Sequence, residues 1–252
     1  MNPERLFGDA PMSSILQPLL PGPAASPAAW PAGGPRLAGS VAWLLLLGDA
    51  AFLLVHLLHK AGHAALGDLA FNLTHEGGLA ETFQYAKESF IAGVLALQAV
   101  RWRSATFLLW ALLFGYLALD DSLALHEQGG AALAAALQLR PVWGLRAIDL
   151  GELVVAAAVA FAVMLMLAAI VWRGRASLRR VSAQLSMLIV LLAVCGVGFD
   201  MLHVVAFSHG IPGMGIAEDG GEMAIMSLIV ACVVQQGRDM GLFTTGGDRR
   251  SR

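Results

Sequence analysis

Only two cysteines occur in the 252 residues, and Cys195 and Cys232 fall in separate apolar stretches at different depths, which excludes a disulfide scaffold. Charge is scarce as well: 13% of residues are charged against 58% apolar, with a mean hydropathy of +0.70. A soluble domain does not carry that balance. The chain has no phosphate-cradling glycine loop, no nucleophile elbow and no nucleic-acid motif, so no nucleic-acid partner is expected. Residues 1–36 are rich in Pro, Ala and Gly but lack the compact apolar core and cleavage pattern of a signal peptide. They read as a flexible cytoplasmic leader, 37–237 as a membrane domain and 238–252 as a cytoplasmic tail.

Long apolar runs are abundant. A hydrocarbon core of about 30 Å is crossed by about 20 residues of helix, and six stretches approach that length, at 38–60, 85–101, 105–127, 148–172, 181–207 and 217–236. The expected fold class is all-α, a six-helix transmembrane bundle. Between the spans, a short amphipathic helix at Leu79–Ala86 is expected to lie on the outer surface, and 128–147 is expected to be a turn-rich connection. Basic residues collect on the cytoplasmic side of inner membranes. With both termini inside, only Lys60, Lys87, Arg140 and Arg146 of the sixteen Lys and Arg face outward. The expected location is therefore a bacterial inner membrane, with membrane lipids as partners and assembly as a homo-oligomer or part of a larger membrane complex.

The outer end holds all seven histidines and thirteen of the eighteen acids. So many carboxylates with so few cations need protons or metal ions. They recur at helical spacing. His56, His59 and His63 share a face with Asp49. Asp120 and Asp121 are followed by His126 and Glu127, with Asp120 and Glu127 seven apart and so aligned on one helix. Asp149 precedes Glu152, Asp200 precedes His203, and Glu218-Asp219 precedes Glu222, each at an i, i+3 spacing. Such pairs place two donors one turn apart, the device by which helix bundles build metal sites.

The leading expectation is a divalent metal, zinc, iron or manganese, held by Asp121, His126, Glu127, Asp149, Asp200, His203 and Glu222, with His56 and His59 as further ligands. Glu152, Glu218 and Asp219 would then act on metal-bound water in a hydrolase or oxidoreductase for a lipid or small apolar substrate. Three alternatives stay open: a transporter or channel for protons or metal cations, a non-catalytic subunit of a membrane complex, and an interhelical hydrogen-bond network without chemistry. Transport requires polar groups to continue inward, and Asp49 is the one intramembrane acid on that side.

The segments Glu81–Glu88, Leu119–Glu127, Asp149–Glu152, Phe199–His203 and Glu218–Met223 resemble the recurrent blocks of a family of uncharacterised bacterial multi-pass membrane proteins, over about residues 75–235. The resemblance implies a multi-pass membrane fold; it carries no activity, cofactor or catalytic residue.

Overall fold

A computed structural model describes residues 36–173, 176–199, 201–202 and 213–243. The leader up to residue 35, the tail beyond 243, Asp200, His203 and the end of the stretch expected at 181–207 lie outside the described residues. Among the described residues the protein is all-helical, with no strand beyond one isolated bridge between Val142 and Leu145. The helices are α1 (Arg36–Lys60), α2 (Leu79–Trp102), α3 (Ala105–Leu123), α4 (Leu125–Ala136), α5 (Ala147–Arg173), α6 (Ala176–Ala193) and α7 (Met214–Asp239). A π-helical segment, Val194–Gly198, continues α6.

Among the described residues, four segments are long and apolar enough to cross a membrane: Gly39–Lys60, Ala105–Leu123, Ala147–Trp172 and Leu178–Gly198. They leave large apolar side chains uncovered, among them Trp43, Leu44, Phe161 and Met164. Such a surface is a liability in water and suits hydrocarbon. α2 and α7 also have the length, at 24 and 26 residues, but are more polar, with Glu81, Lys87 and Glu88 in one and Glu218, Asp219 and Glu222 in the other. Packing accounts for this. α2 contributes Ile91 and Leu95 to the buried core and α7 contributes Met226, Ile229 and Val233, where they meet Phe107, Trp110 and Phe114 of α3 and Leu185 of α6. The two most polar long helices are thus shielded by more apolar ones. Trp110 donates its indole N–H to Ser182 Oγ at 3.0 Å, tying α3 to α6.

The stretch expected as one span at 105–127 is two helices. Ala124 sits between them with φ +49°, in the left-handed region. Partners from elsewhere satisfy the carbonyls left open at the end of α3: Tyr85 donates its hydroxyl to the Asp121 carbonyl at 3.0 Å, and Gln128 donates its amide N–H to the Leu123 carbonyl at 2.6 Å. Much of the connection expected at 128–147 is therefore α4. The surface helix expected at Leu79–Ala86 is instead the first part of α2, continuous with the rest.

α4 lies against α5 backbone to backbone. A Cβ added to Gly151 would collide with the Gly130 carbonyl oxygen, and one on Gly130 would lie 2.7 Å from the Glu152 backbone nitrogen. Glycine at both positions permits this approach.

Candidate functional site

The site is built along one face of α2. Glu81, Tyr85 and Glu88, spaced four and three residues apart, share that face. Glu88 is buried, with 1% of its surface exposed. Its carboxyl group lies beside that of Asp121 on α3, and its Oε2 has no hydrogen-bond partner. Two neighbouring carboxyl groups can share a hydrogen bond only if one of them holds a proton, since two carboxylates offer only acceptors. Glu222 of α7 acts electrostatically on Glu88, and Glu81 acts on Asp219 and on Asp121. Tyr85 lies near Glu81 and donates its hydroxyl to the Asp121 carbonyl. Three helices therefore direct Glu81, Glu88, Asp121, Asp219 and Glu222 toward a common region.

One residue before Glu88 on α2, Lys87 turns to the other side. Its ammonium donates to Asp49 Oδ1 at 3.1 Å, to the Met223 carbonyl at 2.8 Å and to Ser227 Oγ at 3.3 Å, and lies 4.9 Å from the centroid of the Phe83 ring. Ser227 in turn donates to Asp49 Oδ2 at 2.6 Å. Both members of the ion pair are buried, with side-chain exposures of 3% for Lys87 and 9% for Asp49. The expectation of an outward-facing Lys87 and a lone Asp49 is corrected here: each is the other's counter-ion, joining α1, α2 and α7.

The remaining expected residues disperse. His126 Nδ1 lies 3.3 Å from Asp120 Oδ2 and its Nε2 lies 4.0 Å from Glu127 Oε1. The break at Ala124 puts Asp120 and Glu127 on different helices, so their seven-residue spacing no longer aligns them. Asp149 is held by Arg146, which donates its backbone N–H to Oδ2 at 2.7 Å and its Nη2 to Oδ1 at 2.6 Å. It serves as a clamp at the start of α5. The side-chain stem of Glu152 packs at the Gly130 crossing. Glu218 borders a cleft together with His56, Lys60 and Thr74.

The two candidate histidines of α1 hold the following loop. Leu73 donates its backbone N–H to His56 Nδ1 at 3.0 Å. In a neutral imidazole the proton is then on Nε2, leaving neither nitrogen with a lone pair for a metal. His59 Nδ1 lies 2.6 Å from the Leu66 carbonyl, which can only accept, so it donates there. Among the described residues, no group of three or more His, Cys, Asp or Glu is placed to hold a metal ion. Asp200 and His203, two of the expected ligands, lie outside those residues.

Sequence reasoning missed three further features. Ser227 bridges to Asp49. Gln98 is fully buried, with both amide atoms lacking hydrogen-bond partners, and Gln236, also buried, has an unpartnered Oε1. Gly196, in the π-helical segment, lies against Glu222, where an added Cβ would meet the carboxylate. Only the glycine had a sequence signal, as the centre of Cys195-Gly-Val-Gly198 within an apolar stretch.

Among the described residues, the fold and the site define an all-helical protein with four helices long and apolar enough to cross a membrane and a cluster of buried ionisable groups between its central helices. The chain belongs to the family described as a domain of unknown function, DUF8692, whose model matches residues 78–236, more than half of the sequence. No curated protein and no solved structure matches the chain.

Proposed function

We propose that this protein is a proton-handling protein of a bacterial inner membrane, a proton channel or the proton-coupled part of a transporter. The observation that carries this reading is the buried Glu88–Asp121 contact, one residue along α2 from the buried Lys87–Asp49 pair. Ionisable groups inside a membrane protein are costly to bury and mark ion or proton paths by default. In this reading Glu81, Tyr85, Asp219 and Glu222 collect protons at the acidic end. Glu88 and Asp121 hold one proton between them. When Glu88 ionises, its carboxylate competes with Asp49 for the Lys87 ammonium, and the change in pairing opens the next step.

The path continues toward the basic end of the bundle. Gln98 and Gln236 carry unpartnered amide atoms there, and buried polar groups of that kind are commonly satisfied by internal water. These neutral groups supply the inward continuation that transport requires. The topology belongs to the same proposal: six spans, with polar α2 and α7 crossing at the centre and both termini cytoplasmic. Its support is the confinement of twelve of the sixteen Lys and Arg to one side in that arrangement.

Reconstitution into liposomes with an internal pH dye tests the reading. Wild-type protein should dissipate an imposed pH gradient, and Glu88→Gln and Asp121→Asn should each abolish this while the protein stays folded. A wild-type protein that leaves the gradient intact, with and without candidate co-substrates, overturns it.

A metal-dependent membrane enzyme is the second reading. Its support is the convergence of Asp121, Asp219 and Glu222 from two helices, with Asp200 and His203 as the remaining expected donors. Metal analysis separates the two readings: stoichiometric zinc, iron or manganese that is lost on His203→Ala favours the enzyme.

A further inference from the structure

An apolar groove of about 660 Å³ runs between α1, α2 and α7, on the side of Lys87 away from the acidic cluster. Val41 and Leu45 of α1, Phe90 of α2, and Val230 and Val234 of α7 line it; Lys87 borders one part and Arg238 another. Three observations point to an occupant. First, Arg238 is exposed and has no ion pair among the described residues, because its neighbour Asp239 accepts from Gln235 Nε2 at 2.7 Å. Second, the end of the bundle where Arg238 stands is basic, with Arg101 and Arg103 exposed at the end of α2. Third, the groove has a depth comparable to one leaflet. Its α7 wall runs from Val230 to Arg238, or about 12 Å of helix, not far short of half of a roughly 30 Å hydrocarbon core.

A slot that begins at a basic helix end, runs to mid-membrane depth and is walled by aliphatic and aromatic side chains matches one kind of molecule. It needs an anionic head and an extended apolar chain. We propose that the groove holds one acyl chain of an anionic glycerophospholipid whose phosphate is bound by Arg238. The chain fills the space beside Val41, Leu45, Phe90 and Val234. The phosphate meets the guanidinium at the interface, where a cation near an anionic lipid surface contributes on the order of 1 kcal/mol. This site is independent of the proton-handling reading, as none of its polar contacts uses Glu88 or Asp121.

Native mass spectrometry of the full chain, released from nanodiscs of equal phosphatidylglycerol and phosphatidylcholine, tests it. One phosphatidylglycerol should be retained in preference to phosphatidylcholine. Arg238→Gln should reduce that preference about fivefold. Ala86→Trp, which fills the groove, should remove retention of either lipid. Should the Ala86→Trp variant fail to fold, Arg238→Gln at the exposed helix end decides the matter. Equal retention of the two lipids, a preference unchanged by Arg238→Gln, or retention of free oleate in place of phospholipid each overturns the proposal.

Discussion

Lys87 and Asp49 meet at 3.1 Å across the contact between α1 and α2, both buried, with Ser227 of α7 hydrogen-bonded to each. Removing one partner leaves the other charged and uncompensated in a low-dielectric interior, whereas removing both leaves only a packing change. Asp49→Asn and Lys87→Met should each destabilise the protein by about 3–5 kcal/mol. The double variant should recover most of that loss. Thermal unfolding in a mild detergent, set out as a double-mutant cycle, measures the coupling. Additive losses would show that the pair does not act as a unit.

The same pair shows what the sequence could and could not disclose. Helix class and approximate helix limits were legible, because apolar run length is a local property: α1, α5 and α7 begin and end within a few residues of the stretches that hydropathy marks. The break at Ala124 was not. Alanine favours helix, and one of the partners that hold the turn there, Tyr85, is 36 positions away in sequence from the carbonyl it caps. The order of the spans and the side on which basic residues collect put Lys87 on the outer side, and its burial could not be read there because its counter-ion is 38 positions away in sequence. For the site, Asp121, Asp219 and Glu222 stood out in the sequence as acids near the ends of apolar stretches. Gln98 and Gln236 escaped notice because neutral amides barely disturb a hydropathy profile, although both are buried.

His56 gives the second prediction. Its Nδ1 receives the Leu73 N–H, and removing an acceptor from a buried donor costs about 1–3 kcal/mol. His56→Ala should therefore speed amide hydrogen exchange across residues 64–74 and leave the helices of the core protected. The metal content of the purified protein should not change, since Nδ1 is committed to the Leu73 N–H and Nε2 carries the proton of the neutral ring. A loss of bound metal on this substitution would show that His56 is a ligand and that the hydrogen bond is secondary.

Two glycines with short notional Cβ contacts should behave differently, and the difference follows from what each would strike. At Gly151 the obstacle is the Gly130 carbonyl, part of a helix backbone that cannot step aside without moving α4. Gly151→Ala should cost about 1–3 kcal/mol, the usual range for overpacking, read as a lowered unfolding temperature. At Gly196 the obstacle is the carboxylate of Glu222, the mobile end of a flexible side chain. Gly196→Ala should cost under about 1 kcal/mol, because rotation of one side chain relieves it, yet it should displace the Glu222 carboxylate from its place beside Cys195. The alkylation rate of Cys195 reports that displacement, because Glu222 acts electrostatically on the thiol. In a Glu222→Ala background the same glycine substitution should leave the alkylation rate unchanged. If the rate shifts equally in both backgrounds, the contact between Gly196 and Glu222 is not what positions the carboxylate.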